Sequence, residues 1–268
     1  MLHALTVGVD RYLDPSISSL RYARRDAASV ADLLQQNLHP SEASVRRLLD
    51  AQATQRAISI AIGEELPRAC RPGDVVLLYF AGHGSPETDG PADGASRFLI
   101  PHDAEKQHLF TTGIQLGLRF AEWLDRLADA ALVVTIIDAC FSGAPVAAAP
   151  GTGVRTFMGP RLQRARTRGK RRPPPLSLEA FEFGEGRLVL SASRDDEPAC
   201  EDASVRHGVF THYLLKALGE PLQRGGTITV AALFDRLRRE THQHMRGRQT
   251  PVLQGLDEYA RLPILGPG

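Results

Sequence analysis

Cysteine is scarce in this chain: 268 residues hold only Cys70, Cys140 and Cys200, with no CxxC spacing. A disulfide framework is excluded, and so few thiols fit a reducing cytoplasm. Excess charge of one sign is also missing. Lys and Arg total 32 against 31 Asp and Glu, a net charge of +1, so no global electrostatic pull toward nucleic acid follows. No apolar run approaches the roughly 18–20 residues of a membrane helix. The start, Met1-Leu2-His3-Ala4, lacks the basic region, apolar core and cleavage site of a secretory signal. The expectation is a cytoplasmic protein with no membrane contact. Internal repeats are absent. What remains is an ordinary globular composition, 43% hydrophobic and 24% charged, long enough for one large domain with a sizeable core.

Two apolar, β-branched runs stand out: Val75-Val76-Leu77-Leu78-Tyr79-Phe80-Ala81-Gly82-His83-Gly84 and Leu132-Val133-Val134-Thr135-Ile136-Ile137-Asp138-Ala139-Cys140-Phe141-Ser142-Gly143. Each ends abruptly in small residues around one reactive side chain. Runs of this length and composition read as buried strands of a parallel sheet. Ala4–Val9, Ser44–Leu49, Phe98–Pro101, Arg187–Ser193 and Pro251–Leu253 read as further strands. Helices are expected over 22–37, from an N-cap at Thr54 to Leu66, and over 118–128, 210–218 and 230–245. The alternation predicts an α/β fold with a mostly parallel sheet of about six strands, covered on both sides by about five helices.

Ligands and chemistry gather at the carboxyl ends of parallel strands. His83 and Cys140, each just past such an end, can therefore meet although far apart in sequence. A thiol is nucleophilic mainly as thiolate, and a nearby imidazole can produce or stabilise that form. The residues point to a Cys–His nucleophilic hydrolase. Gly82 and Gly84 around His83 allow close approach of a substrate backbone. Cys70, Cys200 and the other histidines read as structural. His242 and His244 are too closely spaced to share a helical face and do not suggest a metal site.

With these two blocks the chain resembles the caspase-like clan of cysteine peptidases (family C14), nearest to bacterial caspase-like proteins and metacaspases. Caspase-type patterns place the Cys in a short Q-A-C-x-G block with its His about 50 residues upstream. The equivalents here are Asp138-Ala139-Cys140-Phe141-Ser142-Gly143 and Ala81-Gly82-His83-Gly84. The resemblance implies a caspase-like fold over 1–268: a large-subunit-like part at 1–143, a flexible basic linker at 144–186 and a small-subunit-like part at 187–268. It implies Cys140 as nucleophile, His83 as general base and acid, and the backbone N–H groups of Gly84 and Cys140 as the oxyanion hole. Asp138 stands where caspases carry Gln and metacaspases carry Asp, and metacaspases cleave after Arg or Lys. A carboxylate at the pocket floor suits a guanidinium and repels an acidic P1 side chain. Asp26, in Leu20-Arg21-Tyr22-Ala23-Arg24-Arg25-Asp26-Ala27, is similar to the second S1 Asp of metacaspases; its alternative is a first-turn helix residue stabilised by the dipole. Asp195, Asp196 and Glu197 match a loop that borders the substrate cleft, where they would meet further basic residues or simply be solvated. Metacaspases often bind calcium through clustered Asp. Here Pro101-His102-Asp103 is present, but the following segment lacks the Asp pair, and Asp89, Asp93 and Asp103 are too few for a hard-cation cage. No cofactor or metal is expected.

The linker centres on an Arg-rich run, Arg161 to Pro175, that cannot form a packed core. Three readings stand: a solvated loop, an autoprocessing site offered to a protease with an acidic pocket, or a nucleic-acid contact. The last is disfavoured because no aromatics are interleaved to stack bases. The function expected is an endopeptidase for protein or peptide substrates with Arg or Lys at P1. The alternatives are a catalytically silent scaffold that binds a partner, against which the intact His83 and Cys140 argue, and a caspase-fold protease with Asp preference. Bacterial relatives often act in stress, immunity or programmed death, sometimes downstream of a sensor, so the resemblance implies either an activating partner in trans or a small effect of the linker.

Overall fold

The structure, a computed structural model, describes residues 1–86, 97–141, 152–155, 185–194 and 197–265. Eight strands position the site: β1 (Leu2–Gly8), β2 (Ala43–Leu49), β3 (Val75–Ala81), β4 (Leu132–Asp138), β5 (Thr152–Val154), β6 (Arg187–Ser191), β7 (Cys200–Asp202) and β8 (Val252–Gln254). Six of them form the central sheet in the order β8-β6-β4-β3-β1-β2. All its pairings are parallel except that of β8 with β6. This is the expected α/β architecture.

The sheet is buried on both faces because its central strands are apolar at most positions. Alternate residues point to opposite sides. Leu77, Tyr79, Val134, Ile136, Leu188 and Leu190 face one core, shared with the helices Ala23–Asn37 (α1), Val209–Gln223 and Val230–His244. Val76, Leu78, Phe80, Val133, Ile137 and Val189 face the other, shared with Ile58, Phe120 and Trp123 from the helices Gln55–Ile60 and Leu118–Asp125. Each such aliphatic side chain gives about 1.5–3 kcal/mol on burial, so these two layers dominate the fold's stability.

Register fixes the height of the strand ends. Gly8 pairs with Ala81, and Ala81 with Asp138. His83 and Cys140 thus each lie two residues past the same level on adjacent strands. β1 lies between β2 and β3, so connections leave it in both directions, the arrangement that opens a crevice at the carboxyl ends. Gly8 brings α1 to that crevice: a Cβ there would stand 2.6 Å from the Ala23 carbonyl oxygen. Only a glycine lets the first turn of α1, with Asp26, press against the end of β1.

Several boundaries differ from the sequence expectation. The segment after the Thr54 cap runs through Ala69, with a π-helical turn at Ala61–Glu65 and Pro67 placed in the first turn of the last piece, where a missing N–H is tolerated. Helix 118–128 is shorter, ending at Asp125. The helix expected to stop at Leu218 continues to Gln223 with Pro221 inside it, its last turn anchored by buried Leu222. The main correction falls within 144–186, read as structureless: Thr152–Val154 forms β5, held by antiparallel pairing with β7. The Arg-rich run lies outside the described residues.

Candidate active site

Four segments converge at the carboxyl end of the sheet: the loop after β3, the loop after β4, the first turn of α1, and β7 with the turn into Val209–Gln223. His83 is buried. Its ring lies 5.3 Å from that of Tyr12, its backbone N–H donates to the Tyr12 hydroxyl at 2.9 Å, and Nε2 faces the Ser18 carbonyl oxygen at 2.8 Å. A carbonyl only accepts, so Nε2 carries the proton and Nδ1 is the basic atom. Burial pushes the imidazole down to about 4, against backbone hydrogen bonds with Ser18 and Arg155 that favour the charged ring. The ring is neutral at pH 7. Cys140 is fully buried, and its Sγ donates to the Glu197 carbonyl oxygen at 3.3 Å.

The backbone N–H groups of Gly84 and Cys140 converge. Each donates to one atom, the carbonyl oxygen of Arg155, at 3.2 Å. The approach is close enough that a Cβ on Gly84 would stand 2.6 Å from the Cys140 carbonyl oxygen, which excludes any larger residue without a backbone shift. The cleft is therefore occupied by the chain itself. β5 lies along β7 with Val154 opposite Cys200 and Gly153 opposite Glu201. The Arg155 N–H extends the ladder to the Ala199 carbonyl at 3.0 Å.

The Arg155 side chain is fully buried. Its guanidinium pairs with Asp26, with Asp138 at 2.8 Å and with Glu201 at 3.3 Å. The pocket is built to hold these carboxylates in place. Thr211 Oγ1 donates to Asp138 at 2.5 Å and is itself bonded to the Tyr79 hydroxyl. The Gly208 N–H and the His207 ring bind Asp26. The N–H groups of Arg21 and Tyr22 bind Glu201. Burial pushes the Asp138 carboxyl up, Arg155 pulls it down, and Asp26 pushes it up again. Burial works against the Arg155 charge, but the surrounding carboxylates outweigh it and hold the guanidinium protonated far above its ordinary range. Each pair is worth roughly 4 kcal/mol at contact with an effective dielectric near 20, against several kcal/mol for desolvating each ion. Three partners therefore favour a cation here. A neutral or acidic side chain would leave the carboxylates facing one another.

Of the residues expected from sequence, His83, Gly84, Cys140, Asp26 and Asp138 come together around Arg155. Glu197 reaches the site through its main chain only; its carboxylate is turned away and accepts from the Thr250 N–H and hydroxyl. Asp195, Asp196, Asp89 and Asp93 lie outside the described residues. Asp103 accepts from the Gln55 N–H at the start of a helix. The sequence reading missed Glu201, His207, Thr211 and Tyr12, and the role of Arg155 as the pocket's occupant. Far from the cleft, at the amino end of the sheet, His3, Cys70 and Asp74 form a buried group. There Asp74 is already engaged by the N-terminal ammonium, His3 and the Arg71 N–H.

No helix among the described residues is long and apolar enough to cross a membrane. The fold is similar to a solved structure from Geobacter sulfurreducens, the protein GSU0716, with a TM-score of 0.68, 18% identity and 97% of both chains covered. The sequence is similar to Metacaspase-1 of Plasmodium falciparum (isolate 3D7), 28% identical over 155 residues, which are 53% of this chain and 24% of that protein. The chain thus matches about a quarter of that relative's length. Residues 1–259 match the caspase domain of peptidase family C14, and the chain belongs to that family.

Proposed function

We propose that this protein is a cysteine endopeptidase that cleaves on the carboxyl side of Arg and Lys, and that its first substrate is its own Arg155–Thr156 bond. One observation carries the reading: a basic side chain fills a pocket of three carboxylates while its carbonyl oxygen sits between the Gly84 and Cys140 N–H groups. That is the placement a P1 residue needs.

In this mechanism Nδ1 of neutral His83 takes the Cys140 proton. The thiolate attacks the P1 carbonyl carbon, and the oxygen gains negative charge. The Gly84 and Cys140 N–H groups already point at that oxygen, and donors so placed are worth roughly 2.7–4 kcal/mol each. The C–N bond breaks as protonated His83 passes its proton to the leaving amine. Water then attacks the thioester with His83 as base, releasing the P1 carboxylate and restoring the thiol. Basic selectivity comes from Asp26, Asp138 and Glu201. While β5 remains docked, a substrate in trans cannot enter, so the intact chain is self-blocked. An activating partner would act by displacing this strand.

Fluorogenic peptides with Arg, Lys or Asp at P1, assayed with Arg155→Gln, in which the blocking strand has lost its cation, and with the same variant carrying Cys140→Ala, test the reading. Release after Arg and Lys that vanishes in Cys140→Ala is expected. Release after Asp alone would overturn the pocket assignment, and release unaffected by Cys140→Ala would overturn the nucleophile.

A further inference from the structure

The strand in the cleft also presents the residues that precede the basic one. Side chains along a strand alternate between faces. Gly153 and Arg155 share the face toward Glu201, and Val154 takes the other. Val154 packs on a buried apolar cluster of Cys200, Val209 and Met245, with Tyr213 beside it. The Tyr213 hydroxyl is engaged with His244 Nδ1 at 3.0 Å, so the ring offers Val154 its carbon surface. On the opposite face, a Cβ added to Gly153 would stand 3.2 Å from Glu201 Oε2. That oxygen is fixed by the Arg21 N–H at 3.1 Å, and its partner oxygen by the Tyr22 N–H at 3.0 Å. The same carboxylate that pairs with the P1 cation thus crowds the P3 position.

We infer that the enzyme reads three residues and not one: Arg or Lys at P1, an aliphatic, β-branched residue at P2, and Gly at P3. The specificity-determining residues for P2 are Cys200, Val209, Met245 and Tyr213; for P3 it is Glu201. The inference rests on the reading of β5 as a bound substrate. A β-branched P2 suits the extended backbone that β7 imposes, and its apolar surface leaves water. A charged P2 would lose its hydration against carbon and sulfur surface. A larger P3 would push Glu201 off the N–H groups that hold it and so weaken the P1 pocket as well.

The test uses the full chain carrying Cys140→Ala and Arg155→Gln, which cannot cleave and has lost the cation that docks β5. Binding of fluorescein-labelled Thr-Gly-Val-Arg, Thr-Gly-Asp-Arg, Thr-Val-Val-Arg and Thr-Gly-Val-Asp is followed by anisotropy. Thr-Gly-Val-Arg is expected to bind at least tenfold tighter than the P2 Asp peptide and several-fold tighter than the P3 Val peptide. Adding Met245→Ala enlarges the P2 pocket and is expected to shift preference from Val toward Leu at P2. If the P2 and P3 peptides bind equally while Thr-Gly-Val-Asp does not bind, the subsite inference fails and the basic P1 reading stands. If exchanging Arg for Asp at P1 changes nothing, the parent reading fails and takes the subsites with it.

Discussion

Replacing Arg155 by Gln removes the guanidinium that pairs with three buried carboxylates and leaves the backbone of β5 intact. Removing one partner of a buried ion pair is worth roughly 3–5 kcal/mol, much of it the strain of the charges left behind. Here the cost falls on docking of a three-residue strand with little else to hold it: its ladder to β7, the Val154 contact and the hydrogen bonds to Arg155. At 1.36 kcal/mol per factor of ten, the docked population drops roughly a hundred- to several-thousand-fold, and self-cleavage slows in proportion. Arg155→Lys keeps the charge but not the fork that spans Asp138 and Asp26, and should process within about tenfold of the parent rate. The assay is intact-mass spectrometry of purified protein over time, which reads both the rate and the bond. A fragment beginning at Thr156 is expected, formed quickly in the parent, more slowly in Arg155→Lys and barely in Arg155→Gln. Cleavage of Arg155→Gln after residue 155 at the parent rate would refute the electrostatic argument. A parent cut only within the Arg161–Arg172 run would show that Arg155 is not the scissile residue.

Two further outcomes follow from the same geometry. In Cys140→Ala the His83 ring should titrate near 4 by NMR and move back toward 6.5 when Arg155→Gln is added, because burial is the main cause of the depression and undocking of β5 would let water reach the ring. A His depressed in the folded state stabilises least in acid: its contribution is full above about pH 6.5 and falls by about 3 kcal/mol as pH drops through 4. The raised carboxyl of Asp138 has the opposite slope, so site-resolved titration is the measurement that decides, and an unchanged midpoint in the double variant would refute the assignment. Gly208→Ala would place a Cβ 2.7 Å from Asp138 Oδ2 and 2.8 Å from the Arg155 guanidinium. Overpacking of this kind typically costs about 1–3 kcal/mol, so the KM for Arg peptides should rise about tenfold; an unchanged KM would mean that P1 does not enter this pocket.

The two apolar runs ending at His83 and Cys140 were legible because burial on both faces makes a parallel strand apolar at nearly every position, a signal contained in seven residues. Asp138 and Gly84 sit in the same unbroken blocks, but the roles expected of them came through the resemblance. Asp26 was found only through resemblance, since on its own it reads as an ordinary acidic residue in a first helical turn. Glu201 gave no local sign. It lies in a three-residue strand, and the groups that explain its burial, Arg155 and the Arg21 and Tyr22 N–H groups, are distant in sequence. β5 was hidden for the same reason. Thr-Gly-Val has no periodicity to detect and is surrounded by Ala, Gly and Pro, so its order comes entirely from β7 and from three carboxylates elsewhere in the chain. The tertiary pairing that overrides local composition here belongs to the segment that lies in the cleft.

The position of β6 settles what a break after Arg155 would do to the molecule as an object. The nick would divide the polypeptide into 1–155 and 156–268, yet β4 from the first piece and β6 from the second are neighbours in the middle of the sheet, paired from Val133–Arg187 to Ile137–Ser191. Leu188, Val189 and Leu190 are buried between the two helical layers. Pulling the pieces apart would tear the sheet open at its centre and wet both cores. The nicked protein would therefore migrate as two bands in detergent and elute as one particle from a sizing column, its fragments interlocked by a shared sheet without any covalent link.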